Sequence, residues 1–125
     1  MKKIISTKNA PAAIGPYSQA VEAGGLIFIS GQLPINPGTG ELAPADIKLQ
    51  TEASIRNIEA ILRSEGLSLD NVLKTTVLMA DLGQFGQMNE VYAKFFTKNP
   101  PARAAYGVKA LPKAALVEIE AVAAR

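Results

Sequence analysis

Hydrophobic and polar residues follow two spacings along the chain, and these spacings predict eight secondary-structure elements. Two segments carry an apolar residue every three or four positions, which is typical of a helix packed on one face. Six shorter segments are apolar or β-branched and are bounded by Gly, Pro or polar residues, as strands are. The predicted order is therefore β-β-β-α-β-α-β-β.

Asp46 is a suitable N-cap for the first helix, and Gly66 is a suitable end. The residues of this helix expected to be buried are Ile47, Thr51, Ser54, Ile55, Ile58, Ile61 and Leu62. The second helix is predicted over Phe85 to Lys98, with its core positions at Met88, Val91, Tyr92, Phe95 and Phe96.

The predicted strands differ in how they are expected to be buried. Leu26 to Ser30 follows the hairpin turn Gly24-Gly25 and is continuously apolar, so we expect it to be buried on both faces. Val72 to Ala80 is rich in β-branched residues and is expected inside the sheet. The other strands are predicted at Lys3 to Thr7, Tyr17 to Ala23, Ala102 to Val108 and Leu116 to Ala123.

This order predicts an α+β fold, a single domain over residues 1–125, with both helices on one face of a mixed sheet of five or six strands. The strands supply more apolar surface than two helices are expected to bury, and an exposed apolar sheet face implies self-association. The residues that supply this surface are Phe28, Val77, Met79, Val117 and Ile119.

Composition excludes several kinds of chemistry. The 125 residues include no Cys and no His, which excludes thiol nucleophiles, disulfides, Ser-His-Asp triads and the usual zinc sites. Lys and Arg total 13 against 11 Asp and Glu, and this small excess does not predict nucleic-acid binding. The apolar runs are too short to span a bilayer. We therefore expect a cytoplasmic protein without membrane contact.

Arg103 is the most distinctive charged residue, because it stands in an apolar strand after Pro100 and Pro101 end the preceding helix. A guanidinium in this position must meet an anion or remain solvated. Its planar fork suits a carboxylate or a phosphate. The alternative is an ion pair with an Asp or Glu of the same chain.

Glu118 and Glu120 are predicted to share one face of the last strand, since Ile119 between them takes the other face. One of two such carboxylates can be shielded enough to act as a general base. The alternatives are a solvated strand face or an ion pair with Arg103. Ser30-Gly31 lets a ligand approach the backbone, because Gly31 has no side chain, although an ordinary strand end explains it equally well.

Five motifs, in order, resemble the reactive-intermediate/imine deaminase family (RidA, or YjgF type), and the resemblance covers nearly the whole chain. The motifs are Ala10-Pro11-Ala12-Ala13-Ile14-Gly15-Pro16-Tyr17-Ser18-Gln19, Ser30-Gly31-Gln32-Leu33-Pro34, Asn89-Glu90-Val91-Tyr92, Pro101-Ala102-Arg103, and Leu111-Pro112-Lys113 followed by Val117-Glu118-Ile119-Glu120-Ala121.

The resemblance implies a chorismate-mutase-like α+β fold and a homotrimer, with the sheets packed into a central barrel and ligand clefts between subunits. It implies hydrolysis of enamine/imine intermediates, such as 2-aminoacrylate and 2-iminobutanoate, to 2-oxo acids and ammonia, with no cofactor and no metal. Pyridoxal-phosphate enzymes release such intermediates.

The resemblance also implies roles for individual residues. Arg103 binds the substrate carboxylate, and Glu118 holds or activates the attacking water. Backbone groups at Gly31 and Ala105 position the ligand, while the side chains that line the cleft are Tyr17, Ser30 and Asn89.

The chain departs from the family pattern beside Arg103. Many members have Arg-Ser-Cys where this chain has Arg103-Ala104-Ala105, so a nucleophilic cysteine is excluded here, while a backbone donor at Ala105 survives. Tyr106-Gly107 also departs from the usual residues and leaves the substrate range open.

Three other functions remain as alternatives. One is a ligand-sensing regulatory protein with the same cleft. Another is the ribonuclease or translation-inhibitor activity attributed to some relatives, against which the absence of His and of a basic-aromatic stripe argues. A chorismate mutase is a fold-level analogy alone.

Overall fold

The computed structural model describes residues 1–125 as one six-stranded mixed sheet with two helices. The strands are β1 Lys3–Ile5, β2 Ala20–Ala23, β3 Leu26–Gln32, β4 Val72–Met79, β5 Ala102–Gly107 and β6 Val117–Ala124, and the helices are α1 Ile47–Ser64 and α2 Phe85–Phe95. The order across the sheet is β1-β2-β3-β6-β4-β5, and only β4 and β5 run parallel. The predicted α+β class and element order are confirmed. Neither helix is long and apolar enough to cross a membrane.

The start of α1 agrees with the prediction. The Oδ1 atom of Asp46 accepts hydrogen bonds from the backbone N–H groups of Lys48 and Leu49, at 2.8 and 3.1 Å. All seven residues of the predicted stripe are buried. After the helix, Gly66 adopts a φ of +74°, a left-handed conformation that Gly takes without strain.

The second helix is shorter than predicted, because it ends at Phe95 rather than Lys98. Phe96 already has a non-helical ψ of 70°, and Asn99 has a φ of +48°. Pro100 and Pro101 follow at once, and a residue before Pro is disfavoured in the helical region. The predicted core positions Met88, Val91, Tyr92 and Phe96 are buried, while Phe95 is half-buried.

The strand β2 begins at Ala20 rather than Tyr17, and the side chain of Gln19, just before it, holds a loop. Its Oε1 accepts from the backbone N–H of Thr7 at 2.7 Å, and its Nε2 donates to the carbonyl oxygens of Thr7 and Pro11 at 3.0 and 2.8 Å. The same contacts explain why β1 ends at Ile5 instead of Thr7. The loop between β1 and β2 is thereby fastened beside β3.

The expectation that β3 is buried on both faces is wrong. Ile27 and Ile29 are 1% and 3% exposed, whereas Leu26 and Phe28 are 37% and 45% exposed. An antiparallel strand covered on one side only alternates in burial, even where its residues are apolar on both sides. The strand also continues to Gln32, through a bulge between Ile29 and Gln32.

The helix-covered face of the sheet absorbs most of the surface expected to remain uncovered. Val77, Met79, Val117 and Ile119 are completely buried there, and the β4–β6 register pairs Val77 with Ile119 and Met79 with Val117. The prediction that these residues exceed what two helices can bury is therefore wrong for four of the five. Phe28 alone lies on the opposite face.

We call that opposite face, which no helix covers, the open face. It is partly apolar, so the expectation of an uncovered apolar surface is confirmed, although Phe28 is the only one of the five expected residues that lies there. Its side chains, assigned from the strand registers, include Ile4, Val21, Phe28, Lys74, Thr76, Leu78, Tyr106, Glu118, Glu120 and Val122.

Two buried amides of α1 fix the segment that leaves β3. Nε2 of Gln50 donates to the carbonyl oxygens of Ala43 and Pro44, and its Oε1 accepts from the backbone N–H of Leu116 at 2.8 Å. Further along the helix, Nδ2 of Asn57 donates to the carbonyl oxygens of Leu33 and Ile35. These hydrogen bonds hold the segment against α1, because a buried amide without a partner would cost free energy of folding.

A cluster of charges joins β6 to β2, β1 and the end of α1. Arg125 contacts both carboxylate oxygens of Glu22 at 2.9 and 3.0 Å and Oε1 of Glu65 at 2.7 Å, and Lys3 also contacts Glu65. The hydrogen bond from Arg125 holds the pKa of Glu22 below its usual value. Hydrogen bonds from Lys3 and Arg125 do the same for the pKa of Glu65.

These lowered pKa values predict a pH-dependent contribution to stability. Ion pairing is fully present above the usual carboxyl pKa of 4.5 and is lost as the pH falls through the lower folded-state values. Arg125→Ala is expected to lower the thermal unfolding midpoint at neutral pH, with a deficit that shrinks as the carboxylates become protonated. Circular dichroism melts across this pH range measure the difference in unfolding midpoint. Arg63→Ala, which removes an exposed arginine, is the control. A deficit independent of pH would contradict the prediction.

Candidate functional site

Arg103 lies on the helix side of β5. The β4–β5 register places it beside Thr75, which is buried on that side. Its Nη1 donates to Oδ1 of Asn89 at 2.7 Å, and its guanidinium carbon lies 4.8 Å from the ring centre of Tyr92 and 5.3 Å from that of Phe85. We call the adjoining space of about 470 Å³ the arginine cleft. Its walls are Asn89, Tyr92, Ala93, Phe96, Pro100, Pro101 and Arg103.

Arg103 has no counter-ion in its own chain. It takes part in none of the ion pairs, so the alternative of an internal pair with Asp or Glu is wrong. Asn89 is the only residue that accepts a hydrogen bond from the guanidinium, and it carries no charge. The remaining N–H groups of this exposed side chain are free for an external anion, for which the guanidinium fork is well shaped.

The backbone of Ala105 faces outward from the same strand. The backbone N–H of Val108 donates to the carbonyl oxygen of Met79 and therefore points towards β4. Backbone groups of successive strand residues point alternately to the two sides, and this places the N–H of Ala105 on the side away from β4. Because β5 is an edge strand, this donor has no strand neighbour. It is available to a ligand beside Arg103.

Glu118 lies on the open face, between Val117 and Ile119, which are completely buried on the helix side. It borders a second space, of about 580 Å³, which we call the glutamate cleft. The walls of this cleft are Pro11, Ala12, Ile14, Tyr17, Gln19, Ser30, Gly31, Gln32, Leu33, Ile35, Pro112, Lys113 and Glu118. The predicted residues Tyr17, Ser30, Gly31 and Glu118 are therefore brought together.

The bulge in β3 gives Glu118 its position. A side-chain carbon at Gly31 would overlap the carboxylate of Glu118, so the absence of a side chain at residue 31 leaves room for that carboxylate. Next to it, the Oγ of Ser30 donates to the carbonyl of Ser18 at 2.6 Å and ties the preceding loop to the bulge. Tyr17 is half-exposed at the rim.

The two carboxylates of β6 have different surroundings. Burial raises the pKa of Glu118 above its usual value, and the nearby charge of Glu120 adds to the increase. Glu118 has no hydrogen-bond or ion-pair partner in the chain. Glu120 is exposed and lines other depressions of the open face, beside Phe28. The solvated-face alternative therefore describes Glu120, while Glu118 has the raised pKa expected of a proton acceptor.

The structure does not bring all the predicted site residues together within one chain. Arg103, Asn89 and Ala105 gather on the helix side of β5, whereas Glu118 and its neighbours lie on the open face of β6. The strand β4 separates β5 from β6. No group of three or more His, Cys, Asp or Glu side chains could hold a metal ion.

Sequence reasoning missed the aromatic support of Arg103. Tyr92 was assigned to the core, and that assignment is confirmed by its 6% exposure, but its ring also faces the guanidinium. The sequence signal for a second role was the hydroxyl of Tyr92, because a buried tyrosine needs a polar partner. That partner is Oγ1 of Thr75, at 2.7 Å. Lys113 also lines the glutamate cleft, and the sequence indicates it only as part of a motif.

Known proteins resemble this chain over nearly its full length. The Endoribonuclease L-PSP family model matches residues 7–125. A RutC family protein of Pyrococcus horikoshii is 54% identical over 123 residues, 98% of each chain. The 2-iminobutanoate/2-iminopropanoate deaminase of Mus musculus is 49% identical, over 98% of this chain and 91% of that protein. The crystal structure of E. coli TdcF with bound serine gives a TM-score of 0.94 at 46% identity, covering 98% of each chain.

Substitution of Gly31 tests how Glu118 is positioned. In Gly31→Ala the new methyl group displaces the flexible carboxylate of Glu118, so the fold is expected to persist while the raised pKa of Glu118 returns towards its usual value. Carbon-detected NMR titration of the glutamate carboxyl groups measures this change. Gly86→Ala serves as the control, because nothing lies within 4 Å of its added carbon. An unchanged titration of Glu118 in folded Gly31→Ala would show that the space at Gly31 does not position the Glu118 carboxylate.

Proposed function

Because the chain belongs to the Endoribonuclease L-PSP family, that of the RidA and YjgF proteins, we propose that it is a 2-iminobutanoate/2-iminopropanoate deaminase. Such an enzyme hydrolyses enamine/imine intermediates, including 2-aminoacrylate, to 2-oxo acids and ammonia. Mammalian relatives close to half identical over the whole chain carry this name. The long match and the single continuous sheet favour one RidA-like unit over residues 1–125.

The observation that carries this proposal is the free guanidinium of Arg103. It lies at a cleft, stacks on an aromatic ring and lacks any carboxylate partner in the chain. The substrates of this reaction are small acids whose carboxylate sits next to the reacting carbon. A two-pronged contact from Arg103 would fix that carboxylate and, with it, the position of the imine.

The reaction needs little else from the protein. When the nitrogen of an imine is protonated, its carbon is electrophilic, so water adds to that carbon and forms a carbinolamine. Glu118 accepts a proton from the water and returns it to the nitrogen. The C–N bond then breaks and releases ammonia, while the hydroxyl passes its proton to Glu118 and becomes the carbonyl of the 2-oxo acid. The raised pKa of Glu118 suits this exchange better than an ordinary carboxylate would. The backbone at Gly31 and Ala105 positions the ligand, while Tyr17 and Ser30 line the glutamate cleft and Asn89 lines the arginine cleft.

The opposite placement of Arg103 and Glu118 favours a site shared between subunits. The arginine cleft of one copy and the glutamate cleft of the next would together hold one imino acid. A closed homotrimer does this three times while covering the partly apolar open face, and it leaves no free interface. The assembly is part of the proposal, because it supplies the second half of each site.

A regulatory binding protein is the second candidate. The related TdcF structure contains bound serine, a small amino acid that has a carboxylate but no imine. The same cleft could therefore sense a small acid without turning it over. Enzyme and sensor differ in one readout: the enzyme accelerates formation of the 2-oxo acid when added to a reaction that releases the imine.

Arg103 gives the direct test of the function. Losing charge-assisted hydrogen bonds of about 1.5–3 kcal/mol each in Arg103→Ala should cost about tenfold to several hundredfold in kcat/KM. Arg103→Lys should recover part of this, since it keeps the charge but not the fork. A threonine or serine dehydratase reaction supplies the imine, and formation of the 2-oxo acid is followed.

The matched control is Arg56→Ala, which removes another arginine stacked on an aromatic ring, at 4.7 Å from Phe95, but paired with Glu52 and Glu59. It should keep wild-type activity. Full activity of a folded Arg103→Ala protein would remove the proposed site. No acceleration by the wild-type protein, together with binding of the 2-oxo acid, would favour the sensor.

Mixing two impaired variants tests the shared site. Arg103→Ala and Glu118→Gln should each have strongly reduced activity alone, because each lacks one half of every site. Unfolding and refolding them together at equal amounts should restore about one quarter of the sites in a closed homotrimer, those with both halves intact. Light scattering of the mixture gives the assembly mass. Absence of recovery in correctly assembled trimers would show that each site lies within one subunit.

A further inference from the structure

We propose that Tyr92 is a positioning residue for the anion-binding guanidinium: its ring orients Arg103 so that the donors not used by Asn89 face the ligand carboxylate. This inference rests on the proposed function and adds to it a residue that holds the clamp. It is drawn from contacts between three elements, β4, α2 and β5.

Tyr92 is held at both of its ends. Its hydroxyl and Oγ1 of Thr75 are hydrogen-bonded at 2.7 Å, and the two residues are only 6% and 1% exposed. Its ring also packs on Phe96, with the ring centres 4.6 Å apart. A buried hydroxyl with a single short bond to a strand residue fixes the plane of its ring, because breaking the bond would leave both groups unpaired.

Arg103 is then placed on this fixed ring. Thr75 and Arg103 are register partners in neighbouring strands, so the strand pairing brings the guanidinium over the tyrosine that Thr75 holds. The guanidinium carbon is 4.8 Å from the ring centre, within the range of a cation–π contact. Asn89 lies three residues before Tyr92, and it therefore presents its oxygen from the same face of α2.

This arrangement reduces the loss of side-chain entropy when Arg103 binds a ligand. An exposed arginine is long and flexible, and it loses rotamer freedom when it binds a small anion. A ring beneath the guanidinium and an acceptor at its edge restrict that freedom before the ligand arrives, which raises affinity without any further contact to the ligand. A neutral platform also leaves the charge of Arg103 uncompensated, whereas a carboxylate in its place would compete with the substrate.

The competing explanation is that Tyr92 only fills the core. Both explanations predict that its removal lowers stability. They differ for ligands: a filler affects acids and neutral analogues equally, whereas a positioning residue changes the preference for the charged carboxylate. The useful quantity is therefore the ratio of the dissociation constants of 2-oxobutanamide and 2-oxobutanoate, measured by calorimetry on the assembled protein.

In Tyr92→Leu this ratio should fall by about threefold to tenfold, the range expected from losing one cation–π contact. Tyr92→Phe keeps the ring and should retain most of the preference. If Tyr92→Leu does not fold, Tyr92→Met fills similar space without an aromatic face and should show the same fall. In an Arg103→Ala background, loss of the ring should not change the ratio further, because the two residues act as a unit.

Phe95→Leu is the matched control. It removes an aromatic ring from the same helix, but this ring carries Arg56 rather than Arg103. It should leave the ratio at its wild-type value. A wild-type ratio in folded Tyr92→Leu or Tyr92→Met would overturn the inference, as would an equal fall in Phe95→Leu. Because the readout is binding, Tyr92-dependent acid preference without deamination would overturn the proposed function alone and leave this inference standing.

Discussion

Strand side chains alternate between the two faces of the sheet, and both candidate charges owe their surroundings to that alternation. Val117 and Ile119 are drawn beneath the helices by burial, which places Glu118 between them on the open face. The pairing of Thr75 with Arg103 places the guanidinium on the opposite, helix-covered side. A slip of one residue in either strand would exchange these positions, so the buried apolar residues hold the polar ones in register.

The same constraint leaves two charges without partners in a single chain. Arg103 has only a neutral amide and aromatic rings around it, and Glu118 is half-buried and forms no ion pair within the chain. Had both lain on one face of neighbouring strands, they could have neutralised each other. Their separation keeps both groups unpaired; under the proposed function they are the anion-binding group and the proton acceptor that hydrolysis of an imino acid requires. Under the proposed function, a second subunit and a ligand complete what the fold keeps apart.

Local sequence signals predicted the elements well, because caps and stripes act over a few residues. Asp46, Gly66 and the stripe of α1 behave as their chemistry dictates. The failures have different origins. Tyr17 to Gln19 lie outside β2, and the Gln19 amide holds a loop distant in sequence. The end of α2 at Phe95 is local, ahead of two prolines. The apolar run of β3 could not reveal that only one face of its sheet is covered by helices.

For the site, the sequence by itself determined which groups exist: a lone arginine in an apolar strand, paired glutamates on another strand, a glycine beside a serine, and no His or Cys. The order of its motifs also indicated the family. Only the tertiary structure decided that Gly31 makes room for the Glu118 carboxylate, that the Tyr92 ring supports Arg103, and that the two charges face opposite ways. These facts depend on strand register and on packing between residues distant in the chain. Residue type and spacing do not encode either one, since they are fixed only when the whole core is buried together.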